Sequence, residues 1–187
     1  MISSRLTFLA LNNTLVNNSE AKEAVSSVFA KMPEVSNFLE TAVKVTPEGI
    51  VAGLVFYIDS PDCSRIISNA RKINALGVGT VASVAINGYQ NNTVCFFTTV
   101  SGTMREVAEK WQQANSGCAD FIPCGMYPIA EDQTYLFGNF DYRKCERISP
   151  EKQKAAADEW KKQVLGICEN MESLHTPHFA ETGLIIF

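Results

Sequence analysis

Apolar and polar positions along this chain follow two periods, and the periods come in the same order in each half. Leu6 to Leu11 is a short apolar run of strand length. Asn12, Asn13, Asn17, Asn18 and Ser19 break it and supply a helix start. Val25, Val28, Phe29 and Met32 then recur at helical spacing. Pro33 lacks an N–H and kinks or splits this helix, after which Val35, Phe38, Leu39 and Ala42 resume its period. Val43 to Val45 reads as a short strand. Thr46-Pro47-Glu48-Gly49 has the chemistry of a tight turn, with Pro pre-setting φ and Gly free to take a positive one. Ile50 to Ile58 is β-branched, aromatic and uncharged, which predicts a strand buried on both faces. Ser60-Pro61-Asp62 predicts the next helix: a hydroxyl cap, Pro at the first helical position, and an acid at the positive end of the dipole. Ile66, Ile67, Ala70 and Ile73 form its inner face, Gly77 ends it, and Thr80 to Ile86 closes the half as a strand.

The second half restarts after the polar loop from Asn87 to Asn92. Val94 to Val100 reads as a strand, and Thr103-Met104-Arg105-Glu106 as a capping box that opens a helix lined by Val107, Ala108, Trp111 and Ala114. Phe121 to Ile129 is a strand interrupted by Pro123 and Pro128, which suit an edge or a bulge better than a central ladder. Glu131-Asp132-Gln133 turns the chain and Thr134 to Phe140 returns it. Ser149-Pro150-Glu151 repeats the helix-start chemistry of Ser60-Pro61-Asp62. Ala156, Trp160, Val164, Ile167 and Met171 line one face of a long helix, and Gly183 to Phe187 ends the chain as a strand. Each half therefore reads βαββαβ. The expected fold class is α+β, with two antiparallel sheets built by residues 1–90 and 91–187. Each open sheet has helices on one face only, so its apolar second face must be covered, and two such sheets in one chain can face each other.

At 187 residues each half would be marginal alone and adequate if the two share a buried face. A hydrophobic fraction of 46% and a charged fraction of 19% describe an ordinary globular protein. The net charge of −4 argues against broad binding to phosphate backbones, so nucleic acid is not an expected partner. No apolar run approaches bilayer-spanning length, and no membrane association is expected. A short apolar patch with the single Arg5 is a poor secretory leader, so a cytoplasmic address is expected. The six cysteines, at 63, 95, 118, 124, 145 and 168, form no C-x-x-C pair and read as free thiols of a reducing compartment. Spacing alone does not decide whether Cys118 and Cys124 are bridged. Asn12-Asn13-Thr14, Asn17-Asn18-Ser19 and Asn91-Asn92-Thr93 match the glycosylation pattern and read more simply as polar loops.

No catalytic signature stands out. The chain has no G-x-S-x-G, no Walker lysine and no H-E-x-x-H. Gly77-Val78-Gly79 follows a helix instead of opening one and reads as a C-cap, not a phosphate loop. No motif implies a cofactor. The two histidines sit together in His175-Thr176-Pro177-His178, with Glu172 three residues before and Glu181 three after. These side chains could ligate a metal or shuttle protons, although Pro177 prevents a regular helix across the pair; the plainer reading is a polar loop. Asp59 and Asp62 flank a helix start, where capping is the plainer role and a carboxylate at a pocket mouth the functional one. Tyr57, Phe96, Phe97, Tyr127, Tyr135, Phe137 and Phe140 lie on expected strands. Aromatics on an open sheet can stack on RNA bases, but the basic and glycine positions of that motif are missing, and core packing accounts for them better.

A tandem pair of βαββαβ units of this size resembles the dimeric α+β barrel superfamily in its fused two-repeat form. Tandem small-molecule-sensing domains of the same plan are a further resemblance. The first implies two ferredoxin-like halves whose sheets face each other with helices outside, and a pocket between sheet and helices for a small apolar or aromatic molecule. Cofactor-free monooxygenation, lactone isomerisation and haem-dependent chemistry all occur on that fold, and no catalytic set carries over to positions here. The resulting expectation is a small-molecule-binding protein with oxygenase- or isomerase-like chemistry, in which Tyr57, Asp59, His175 or His178 supplies the polar handle. The rival expectation is a non-enzymatic assembly protein whose sheets pair with a partner or form a homo-oligomer.

Overall fold

The structure, a computed structural model, describes residues 2–9, 38–60, 62–76, 80–86, 91–145 and 147–186. The helix expected between Asn12 and Val35 lies outside them, as do Pro61, Gly77 to Gly79 and the loop 87–90. The fold class is α+β, and every described strand pairing is antiparallel. The chain forms two compact units. One comprises residues 1–42, 51–91 and 182–187; the other comprises 43–50 and 92–181.

In the first unit, β1 (Ile2–Leu9) lies between β3 (Gly49–Ser60) and β4 (Thr80–Ile86), with Leu6 opposite Phe56 on one side and Val84 on the other. β4 pairs in turn with the end of β8 (His178–Ile186), from Gly183 to Ile186. α1 (Cys63–Ala75) buries Ile66, Asn69, Ala70 and Ile73. Three of these four are positions that the apolar period marks as inward; Ile67 is half-buried. The helix begins later than its Ser-Pro-Asp opening suggests. Its cap is Asp62, whose Oδ1 accepts hydrogen bonds from the Ser64 backbone N–H at 2.9 Å and the Ser64 hydroxyl at 2.7 Å. These bonds hold the carboxyl below its ordinary pKa. β2 (Phe38–Thr46) is a second departure. Phe38, Leu39 and Ala42 belong to this strand and do not continue a helix, because an apolar spacing of three and four is also met by chance in a strand.

The second unit carries the order β5 (Thr93–Ser101), α2 (Met104–Asn115), β6 (Cys124–Ala130), β7 (Gln133–Asp141), α3 (Pro150–Asn170) and the start of β8. β7 pairs with β5 and β6, and Cys124 to Met126 of β6 pair with Val43 to Val45 of β2. The capping box at Thr103 forms in full, with Glu106 accepting from the Thr103 N–H at 2.8 Å. Ser149 is the N-cap of α3, with Pro150 at its first turn. Pro128 sits beside a register shift in β6, the bulge its missing N–H favours.

The core of this unit lies between one sheet face and the two helices. Val94, Phe96, Val100, Cys124, Met126 and Leu136 meet Val107, Trp111, Trp160, Val164 and Ile167 there. Phe96 stacks on Trp111 at 5.7 Å and 10°, and Phe96 and Phe140 each tilt against Trp160. Two polar side chains of this core, Trp111 and Asn115, are paired with the backbone. The Trp111 Nε1–H and the Asn115 amide both donate to the Ile122 carbonyl, at 2.9 and 2.8 Å, and the Ile122 N–H donates to Asn115 Oδ1. The residues before β6 are thereby tied to α2.

Candidate functional site: the far face of the second-unit sheet

Side chains alternate across a strand, so the residues between those core positions turn away from α2 and α3. The cross-strand register arranges them in four rows. Thr99, Tyr135 and Tyr127 form the first, and Phe97, Phe137 and Gly125 the second. Cys95 lies opposite Asn139 in the third, and Thr93 opposite Asp141 in the fourth. Along this face the chemistry grades from aromatic to polar.

At the aromatic end, Tyr127 stacks on Tyr135 with centroids 4.7 Å apart, and Phe97 lies 6.0 Å from Tyr135. Phe137 sits 6.0 Å from Tyr127 and 6.4 Å from Tyr135. Such offset and tilted contacts match the edge-positive, face-negative charge distribution of the rings. Tyr127 and Phe137 are buried, while Phe97 and Tyr135 are half-buried. Gly125 makes this packing possible: a Cβ there would run into the Phe137 ring. A small residue under an aromatic on the neighbouring strand is a known way to fill a sheet position.

At the polar end, Asp141 is 6% exposed and held by Arg143. The guanidinium donates from Nε to Oδ1 at 2.9 Å and Oδ2 at 3.1 Å and from Nη2 to Oδ2 at 2.6 Å, and the Arg143 backbone N–H donates to Oδ1 at 3.0 Å. Burial pushes the Asp141 carboxyl up, but these bonds and the Arg143 charge outweigh it and hold the group below its ordinary value. Thr93 and Cys95 are both buried, with Oγ1 and Sγ 4.0 Å apart. Asn139 is half-buried, and its side-chain amide makes no hydrogen bond.

The sequence candidates fall elsewhere. Tyr57 and Asp59 lie on β3, opposite Arg5 and Ser3, and their side chains are outside the described residues. His175 lies between α3 and β8 and His178 opens β8, and both are exposed. α3 ends with the Ser173 N–H donating to Cys168 O and the Glu172 N–H to Glu169 O, each at 3.1 Å. This is the two-bond helix closure that normally carries glycine, here with Glu172 at φ 54°. The chain then runs beside β5, where the Leu174 N–H donates to Thr99 O at 3.0 Å and the Thr98 hydroxyl to His175 O at 2.7 Å. His175 is thus fixed by its backbone while its imidazole stays in solvent. Among the described residues, no group of three or more His, Cys, Asp or Glu side chains could hold a metal. Haem, used by some proteins of the resembled superfamily, needs an axial ligand. The chain's only two histidines are both exposed and offer no dry seat for one. All six cysteines are free, Cys118 and Cys124 included. Glu181 accepts from the Tyr142 hydroxyl at 3.4 Å, and burial together with the Glu181 charge raises the Tyr142 pKa.

Asn139 and the graded face did not emerge from motif reading, because no motif contains them. Their signal is the strict alternation of β7: Tyr135, Phe137, Asn139 and Asp141 share one face and step from ring to amide to acid.

No protein-family model matches the chain, and no curated protein resembles it in sequence. Several solved structures match over nearly its whole length. A chlorite dismutase-like protein is 10% identical, with 97% of this chain and 94% of that one covered and a TM-score of 0.32. An anthrone oxidase-like protein is 9% identical, with 98% and 91% covered and a TM-score of 0.29. A monooxygenase-like protein from Fusobacterium nucleatum is 13% identical, with 98% and 91% covered and a TM-score of 0.26. Function has to be read from the residues themselves. No helix among the described residues is long and apolar enough to cross a membrane.

Proposed function

We propose that the protein binds a small, flat, largely apolar molecule against the far face of the second-unit sheet, with oxygenase- or isomerase-like chemistry as the class it serves. The observation that carries this reading is the cluster of Phe97, Tyr127, Tyr135 and Phe137, drawn from three strands and lying away from α2 and α3. Aromatic walls with few polar groups are the usual lining of small-molecule sites, where ring faces supply contact area and a polar atom sets orientation. The monooxygenase-like and oxidase-like names of the similar structures agree with that class of chemistry. No residue of the cluster is a strong acid or base, so a reaction here would draw its reactivity mainly from the substrate and from oxygen or a proton acceptor, with the protein excluding water and fixing geometry.

The test is a thermal-shift and fluorescence screen against naphthols, quinones, aromatic acids and haem, repeated with Tyr135→Ala. A stabilising ligand whose affinity falls about tenfold or more in the variant supports the reading. No stabilisation by any compound overturns it and leaves the pairing of sheets with a partner or a second copy as the use of this fold.

A further inference from the structure

Resting on the proposed site, we infer that Asn139 reads an oxygen on the ligand, so that the preferred class is an aromatic bearing a hydroxyl or carbonyl and not a bare hydrocarbon. At the polar end of the face the neighbouring groups are already committed. Both Asp141 oxygens accept from Arg143. Thr93 and Cys95 are buried against each other. At that end the Asn139 amide combines a position beside the rings with N–H donors and a carbonyl acceptor that no described residue engages. It follows Phe137 on the same face of β7 and stands opposite Cys95, so it neighbours both rings of the Phe97–Phe137 row. Thr99, half-buried at the opposite end beside Tyr135, offers a single hydroxyl and no N–H.

A half-buried amide satisfied by water costs little. The same amide covered by an apolar ligand loses its water and must be re-satisfied or penalised. A hydrocarbon covering Asn139 incurs that penalty, while a hydroxyl or carbonyl in the ring plane removes it. This asymmetry is how a buried polar group discriminates between ligands of nearly equal shape.

The probes are 1-naphthol and naphthalene, which differ by one oxygen; quinones are avoided here because free thiols add to them. Affinities are measured by fluorescence titration on the full chain, on Asn139→Leu and on Asn139→Thr, with circular dichroism and melting curves for each. The expected result is about tenfold tighter binding of naphthol by the unaltered protein. Asn139→Leu should lose that preference while holding naphthalene as well or better, and Asn139→Thr should keep part of it. Equal affinity for the two probes in the unaltered protein overturns the inference and leaves the binding site standing. A preference that survives in Asn139→Leu, or an equal loss for both probes, also overturns it. Failure of both probes to bind the unaltered protein removes the site along with its reader.

Discussion

The two faces of the second-unit sheet are made by the same three strands and both carry aromatic clusters, yet they are built to different standards. On the helix side, Phe96, Trp111 and Trp160 interlock, and the indole N–H of Trp111 has a carbonyl partner. On the far side, Tyr135 and Phe97 are half-buried and the Asn139 amide is unpaired. Aromatic content therefore does not separate a core from a site. What separates them is how the polar groups among the rings are met: Trp111 and Asn115 are tied to the Ile122 backbone, while the half-buried Asn139 amide is left to solvent or to a ligand.

The sharpest way to break this comparison is to truncate a ring on each side. Trp111→Ala should cost about 3–5 kcal/mol, since it opens a closed cavity and takes one of two donors from the Ile122 carbonyl. Tyr135→Ala should cost no more than about 2 kcal/mol, because a half-buried ring leaves no sealed void. Urea unfolding measures both. Equal losses would make the far face an ordinary second core.

Glycine substitutions probe the same difference from the backbone. A Cβ at Gly138 would run into Phe96, which is fully buried and stacked on Trp111, and would approach Pro123 O at 3.3 Å. Gly138→Ala should cost about 1–3 kcal/mol as overpacking. A Cβ at Gly125 would run into the Phe137 ring. That ring packs against the half-buried Tyr135 on one side, so Gly125→Ala should cost less stability and show itself as altered ligand affinity. A larger melting-temperature drop for Gly125→Ala than for Gly138→Ala would reverse the assignment of which face is rigid.

How much of this was legible in the sequence follows from how local each cause is. The capping box at Thr103 and the Pro150 start of α3 involve neighbours within four residues, and they form as read. The apolar period placed Trp160, Val164 and Ile167 on the buried face of α3. It missed by one at Ala156, where Ala157 is the buried residue. Phe38 to Ala42 misled because a few apolar residues fit both periods, and tertiary pairing, invisible in one segment, decides between them. The far face was invisible for a related reason. Its rows join residues 99, 135 and 127, and a cross-strand register cannot be derived without knowing which strands pair. The histidine pair drew attention through chemistry alone, and chemistry without placement does not make a site.

A change of charge at the polar end has a smaller expected effect, and its sign can be worked out. The folded-state pKa of Asp141 lies below its ordinary value of 3.8. The group therefore contributes stability that is fully present above about pH 4 and is lost as the pH falls through the folded value. Asp141→Asn should lower stability at neutral pH by about 1–2 kcal/mol and flatten the acid limb of a stability–pH curve. An unchanged acid limb would mean that the Arg143 clamp holds geometry without holding charge.

The smallest effect is kinetic and asks whether the far face opens at all. Cys95, Cys124 and Cys168 are equally hidden, but on different sides of the sheet. Cys124 and Cys168 lie in the helix-side core, where burial raises both thiols, Cys168 to about 12. At pH 8 they are neither accessible nor ionised, and a maleimide should leave them unmodified until the chain unfolds. Cys95 stands opposite Asn139 on the face proposed to admit a ligand. If that face opens, Cys95 is labelled in the folded protein, slowly but ahead of the other two, and 1-naphthol slows it further. Peptide mass spectrometry over a labelling time course distinguishes the three positions. A Cys95 as silent as Cys124 would show that the far face is closed on the timescale of the label, and the proposed site would then lack the opening a ligand needs.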